Sequence, residues 1–396
     1  MRAPCSTSVS SLPGEAQLLL LAAGGPSTDP AILRLLDGAL DWNRLCHLAE
    51  LEQAAPVLVE RLRRLQPSLD PGTGLRRMAQ VMTFNQQLLR HRLYRTLDAL
   101  DAAGMDVVLL KGAGLAHSAY ARFTDRPMAD IDLLVVPECV APAREVLLAS
   151  GWIHNRDRRP EDVYRHHHHL PPLDDAAGAP ISVELHTDIC LPGHPFRLPP
   201  EAVRRQARRI EVEGRTILVP DVHHQLLHAC IHFAWGHQMA RGAWRTFRDL
   251  AAIAGTGQVD WDRFIALARE SRGTTCCFWT LHLARAVAAI EVPAPVLQAL
   301  RPSMTELLLR TLERHFTLGL LPTAASCPSV RLRNMMWRFG LQPERSGHGD
   351  ALPWSGSRRN FHRAAPQGGR LASAVRRLAR HASHAVHSPR YLLKLR

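Results

Sequence analysis

The texture of this chain changes abruptly at Gly104. Upstream, residues 76–103 carry Met78, Val81, Met82, Leu88, Leu89, Leu93 and Leu97 at helical spacing, so a long amphipathic helix is expected there, closed by Gly104. Downstream, 105–110 reads Met-Asp-Val-Val-Leu-Leu, a short apolar run of strand type. Lys111-Gly112-Ala113-Gly114 then leads into a helix expected over 115–121. A strand, a glycine-rich turn and a helix cannot continue the helical array before them, so a different kind of unit begins here.

Two more strands are expected in that unit, at 131–136 and 181–189, with a helix at 142–150 between them and a hairpin at 210–219 alternating about Gly214. Before it, 14–100 reads as helices, one opening at an Asp41 cap. After Pro220-Asp221 the helical pattern returns, and Asp260-Trp261 repeats the Asp41-Trp42 capping signature. The resulting division is a helical N-terminal module over 1–103, a core over 104–220, a helical C-terminal module over 221–342 and a basic, partly disordered tail over 343–396.

Charge supports that division. The net charge of +13 is concentrated at the C-terminus: residues 351–396 hold ten Arg or Lys and no Asp or Glu, leaving the first 350 residues near +3. A nucleic-acid-binding domain is therefore not indicated; the tail is expected to be solvated, although 376–396 could form a basic amphipathic helix suited to an acidic partner, nucleic acid, anionic lipid or the protein's own surface. No stretch approaches the ~18 apolar residues of a membrane span, and the apolar run at 18–23 lacks the flanks of a signal peptide, so the cytoplasm is expected. The eight cysteines form no Cys-x-x-Cys pair and read as a reduced set.

Chemistry concentrates in Arg126-Pro127-Met128-Ala129-Asp130-Ile131-Asp132. Two acids two apart on a strand project from the same face, and such neighbours repel unless a cation lies between them. Mg²⁺ or Mn²⁺ held there can bridge the phosphates of a nucleoside triphosphate, and phosphoryl-type transfer needs little beyond positioning and charge. Glu184, in Val183-Glu184-Leu185-His186, is the best-placed third carboxylate. Asp130, Asp132 and Glu184 are thus the expected catalytic and metal-holding residues. The expected nucleotide-binding residues are Lys111, the turn Gly112, Ala113 and Gly114 with its backbone amides, and Arg126 from the entering loop. Lys111 stands out because the chain has only one other lysine, Lys394. The run His166-His167-His168-His169 is expected to line the cleft rather than bind a transition metal. His224, His228 and His232 share a helical face without the glutamate of a zinc motif.

The strand, the Lys-Gly turn, the helix with Tyr120, Arg-Pro-x-x-Asp-Ile-Asp-Leu-Leu-Val and Val-Glu-Leu-His together resemble a bacterial family of uncharacterised nucleotidyltransferases, within the DNA polymerase beta type nucleotidyltransferase superfamily. The segment from Gln225 to His232 and Arg248-Asp249-Leu250-Ala251 are similar to the family's helical region. The resemblance covers roughly 15–300 and is most specific between 108 and 136. It implies an α+β fold, a nucleotidyltransferase-type core with a small mixed sheet flanked by helical modules, a triphosphate donor and Mg²⁺. It also implies Asp130, Asp132 and Glu184 as metal ligands and Gly112 as the phosphate-loop glycine. The superfamily's usual Gly-Ser loop is replaced by Lys-Gly-Ala-Gly, which shifts phosphate binding onto Lys111 and backbone amides. The acceptor (metabolite, sugar, peptide or protein) is left open, as are two alternatives: a nucleotide-binding sensor or scaffold without turnover, and a nucleic-acid binder acting through the tail.

Overall fold

The computed structural model describes residues 12–155, 164, 167–191, 193–323, 330–343, 391 and 395. The described residues begin with five α-helices, α1 (Gly14–Ala23), α2 (Asp29–Leu36), α3 (Trp42–Leu51), α4 (Ala55–Leu65) and α5 (Thr73–Ala102). Asp41 starts α3 as its spacing predicts, its carboxylate accepting from the Arg44 amide at 3.0 Å. At 30 residues, α5 is about 45 Å long and serves two bodies. Leu75 and Ala79 lie in the helical core, whereas Leu89, Leu93 and Leu100 lie against the sheet.

Among the described residues the sheet has seven strands: β1 (Val108–Leu109), β2 (Asp130–Leu134), β3 (Trp152–His154), β4 (Leu173–Asp175), β5 (Ser182–His186), β6 (Arg208–Val212) and β7 (Arg215–Val219). Their order is β3-β4-β5-β2-β1-β7-β6, with β2 parallel to β5 and antiparallel to β1, and β7 parallel to β1. The sheet is mixed, and the fold is α+β as the resemblance implies. Helices α6 (Lys111–Ser118), α7 (Val140–Ala149) and α8 (Pro200–Arg205) accompany the strands. Strand alternation divides the side chains between two cores. Ile131, Leu133, Val183 and Leu185 bury on the face backed by α5 and α7, while Leu134 and Val108 join the core of the other face.

That other face meets α9 (Val222–Ile231), which a π-helical turn extends over His232–Gly236, then α10 (Ala243–Gly255), α11 (Trp261–Glu270), α12 (Thr274–Ala288), α13 (Ala294–Leu300), α14 (Glu306–Gly319) and α15 (Val330–Gly340). Asp221 and Asp260 cap α9 and α11 through the amides of His223, Asp262 and Arg263. Leu18, Leu45 and Leu58 from the first helices share one apolar cluster with Trp244, Phe247 and Trp279 from the last. The N- and C-terminal helical segments thus form a single helical body in the structure. The described cysteines are free thiols. Among the described residues no helix is long and apolar enough to cross a membrane.

Three local expectations are corrected. The strand expected over 105–110 is two residues long. The expected glycine-rich turn does not exist: helix α6 starts at Lys111, so Lys-Gly-Ala-Gly is its first turn. The reason is packing. A Cβ on Gly114 would sit 2.3 Å from the Leu109 carbonyl oxygen, so the glycine allows α6 to lie directly on β1. A third difference is strand β3, at one edge of the sheet beside β4, which the sequence did not signal. The expected mobile stretch and basic helix after 343 lie outside the described residues, apart from Tyr391 and Leu395. Both are buried against α14, where the Tyr391 hydroxyl pairs with His315 Nδ1 at 2.8 Å and the Leu395 carbonyl accepts from Arg314 Nη1 at 3.2 Å.

Candidate functional site

The parallel pairing of β2 with β5 sets Asp132 beside Glu184 and Asp130 beside Ser182. Because side chains alternate along each strand, Asp130, Asp132, Glu184 and His186 all project from the face toward the helical body. Asp132 is 1% exposed and is held from two sides: Lys111 Nζ lies 2.6 Å and His186 Nε2 2.8 Å from its Oδ1. His186 Nε2 is also 3.3 Å from Glu184 Oε2, and His169 Nε2 approaches that same oxygen at 3.7 Å. Lys111 reaches Asp132 from a backbone φ of 44°, a left-handed conformation costly for a residue with a Cβ and of the kind found at functional sites.

The charges are interlocked. Burial by itself raises the Asp132 carboxyl, but the ammonium of Lys111 and the hydrogen bonds from Lys111 and His186 outweigh it and hold the group well below the usual carboxylate range. Asp130 moves the other way, raised first by the neighbouring Asp132 carboxylate and then by burial. For Lys111 and His186, burial opposes the charged form; the surrounding carboxylates overcome it and raise both groups.

Lys111, Asp130, Asp132 and Glu184 form one wall of a cavity of about 350 Å³. The facing wall comes from α9 and its π turn through His228 and His232, and from Arg245, Thr246 and Asp249 of α10; His168, His169 and His237 also line the space. Burial keeps His228 neutral, pushed down to about 3, and lowers His168 to about 2, His237 to about 4 and His232 well below its ordinary value. Arg126 Nε and Nη2 donate to the two oxygens of Asp249 at 2.6 and 2.9 Å, and the Tyr120 hydroxyl donates to Asp249 Oδ1 at 2.6 Å. This buried knot ties α10 to the loop entering β2.

Among the residues expected from sequence, Asp130, Asp132, Glu184, Lys111, Gly112 and Arg126 all line this cavity. Ala113 and Gly114 do not. Ala113 is 1% exposed, and the Gly114 amide is spent on the Leu110 carbonyl at 3.2 Å. Lys111 and Arg126 line the cavity already paired with carboxylates. Of the histidine run, His168 and His169 reach the cavity, and ring nitrogens of His167, His168 and His169 lie within 4.8 Å of one another; His166 lies outside the described residues. The helical trio splits, since His224 turns away to pair with Asp221.

Sequence reasoning gave no role to His186, Arg245 or Asp249. His186 was within reach, being two residues after Glu184 and so on its face of the strand. Arg245 and Asp249 sit on an ordinary amphipathic helix and are brought to the site only by the tertiary fold.

Ligand atoms of Asp132, Glu184 and His186 lie within 4.8 Å of one another. Hard carboxylate oxygens at this spacing, with Asp130 at the same wall, fit a divalent cation that prefers oxygen donors. A family model described as uncharacterised nucleotidyltransferase matches residues 38–289 of the chain. No curated protein and no solved structure matches it.

Proposed function

The chain belongs to the uncharacterised nucleotidyltransferase family, and on that premise we propose that it transfers a nucleoside monophosphate from a nucleoside triphosphate to an acceptor hydroxyl with the aid of Mg²⁺ or Mn²⁺. The observation that carries this reading is the β2–β5 register, which sets Glu184 directly beside Asp132 on the cavity wall that also holds Asp130. Asp130, Asp132 and Glu184 would hold the cation. Bound there, it supplies neutralisation of the phosphates and polarisation of the α-phosphorus.

The remaining work falls to the chain's own groups. Gly112 leaves room at the cavity floor, where a side chain would press on Met128 Sδ at 3.0 Å. Lys111 and His186 fix the orientation of Asp132. In the transfer, the acceptor oxygen forms a bond to the α-phosphorus, the bond to the bridging oxygen of the β-phosphate breaks, and pyrophosphate leaves with that electron pair. The acceptor's proton goes to a carboxylate of the site. Such a reaction belongs in the cytoplasm, where nucleoside triphosphates are made, and its acceptor is a metabolite, sugar, peptide or protein.

The test is incubation with each α-labelled nucleoside triphosphate and Mg²⁺, following pyrophosphate release and retention of label in an acceptor from cell extract, with Asp132→Asn as control. Equal pyrophosphate release by wild type and control would sink the reading. Binding of nucleotide without release would favour a sensor or scaffold. That alternative draws on one observation, that Asp132 Oδ1 is already engaged by both Lys111 and His186.

A further inference from the structure

Three arginine or lysine side chains line the cavity, Lys111, Arg126 and Arg245, and they are not equivalent. Lys111 is paired with Asp132 at 2.6 Å, and Arg126 is bound through two nitrogens to Asp249. Arg245 has no carboxylate in ion-pair contact among the described residues. Its hydrogen bond runs from Nη1 to a neutral partner, Gln53 Oε1, at 3.1 Å. The nearby acid Glu52 is committed elsewhere, its two oxygens accepting from the amides of Gly242 and Trp244 at 3.0 Å each. Those bonds also consume amides at the start of α10, where the side chains of Arg245 and Thr246 line the cavity.

An arginine held in a partly buried site with no carboxylate in direct contact is costly unless an anion arrives to complete it. Burial first, and the neighbouring Arg126 charge after it, lower this guanidinium from its ordinary value against the weaker pull of Glu52, Asp249 and Asp130, and it remains a cation at neutral pH. Arg245 stands on the helical wall and the three acids on the sheet wall. An α-phosphorus reacting at the acids leaves the rest of the phosphate chain to extend away from them.

We propose that Arg245 is the subsite for the β- and γ-phosphates of the nucleoside triphosphate, an assignment that rests on the nucleotidyl-transfer reading above. Its planar fork suits two phosphate oxygens at once. Charge gathers on the pyrophosphate as the bond to the α-phosphorus breaks, and a fixed guanidinium stabilises that charge where it develops. The nucleotide is then gripped by both bodies of the fold, its reacting phosphorus on the sheet and its leaving group on α10.

The experiment is calorimetric titration in Mg²⁺ with an α,β-methylene nucleoside triphosphate, which cannot be cleaved at that bond, beside the corresponding monophosphate. Wild type is compared with Arg245→Gln, which keeps a donor for Gln53, and with Arg245→Lys. The triphosphate should bind Arg245→Gln roughly ten- to a hundredfold more weakly than wild type. The monophosphate should bind both equally, and Arg245→Lys should recover only part of the loss. Equal triphosphate affinity in wild type and Arg245→Gln overturns the assignment while leaving nucleotidyl transfer standing. An equal loss for mono- and triphosphate also overturns it, showing a structural role. Failure of wild type to bind any nucleotide brings down the transfer reading and the Arg245 subsite together.

Discussion

Lys111 Nζ and Asp132 Oδ1 meet at 2.6 Å, joining the first residue of α6 to the middle of β2. This pair does structural work whatever else the lysine does, because Asp132 is almost fully buried. Lys111→Met, which keeps the stem and removes the charge, should lower stability by about 2–3 kcal/mol, below the usual cost of breaking a buried pair because His186 remains as a partner. Urea denaturation measures it, and a loss under about 0.5 kcal/mol would show that Asp132 does not depend on the lysine.

The two aspartates should respond differently to amidation. Asp130 is raised by Asp132, so Asp130→Asn relieves repulsion and should leave the melting temperature unchanged or slightly higher. Asp132→Asn gives up the charge that holds Lys111 and His186 and should be destabilising. Both should abolish metal-dependent turnover. Thermal melts run beside a pyrophosphate-release assay separate the two effects, and matched melting temperatures for the two variants would refute this account of the electrostatics.

Gly114→Ala places a methyl 2.3 Å from the Leu109 carbonyl oxygen. Backbone must move to admit it, so α6 should lift from β1 at a cost of roughly 2–4 kcal/mol, in the range of core overpacking and strain. Gly255→Ala is the contrast, since nothing lies within 4 Å of its added methyl and helix propensity favours alanine. Denaturant midpoints for the two variants should move in opposite directions.

Stability should fall as the solution is acidified through the histidine range. His117, His194, His237 and His315 are each pushed down to about 4, chiefly by burial. Their unfolded counterparts titrate near ~6.5. Between those values the unfolded chain binds protons that the folded chain refuses, so the stability is whole above pH ~6.5 and drains away toward pH 4. Each such group contributes up to about 1.4 kcal/mol per pH unit. The urea midpoint should drop steeply as the pH falls below 6.5. His117→Phe, packed between Tyr94 and Phe123, should make that drop shallower; an unchanged slope would count against a neutral buried His117.

Much of this fold can be read locally. Asp41, Asp221 and Asp260 announce helix starts because the cap is made within three residues, and the β6–β7 hairpin follows from alternation about Gly214. The shared face of Asp130 and Asp132 is a property of any strand, and the position of Glu184 needed only the further step that its strand lies next to theirs. What escaped was set by distant partners. The glycines of 111–114 read as a turn because their reason, the Leu109 carbonyl under α6, is a packing contact. Arg126 looked available for phosphate because Asp249, its buried partner, lies 123 residues away. Strand β3 has three residues and draws its pairing from β4, leaving little period of its own.

The β2–β5 register has a consequence for how such a site comes into being. A shift of one residue would set Leu185 or Val183 against Asp132 and turn Glu184 into the apolar layer behind the sheet. The two strands are parallel and some fifty residues apart, with an edge hairpin between them, so they pair only after a long loop has closed. Until then the nascent chain carries the Asp130–Asp132 pair and Glu184 far apart, with little joint hold on a divalent ion. On the reading proposed above, assembly of the sheet and the capacity to hold a divalent ion would therefore arrive together, and the molecule would not be armed before it is folded.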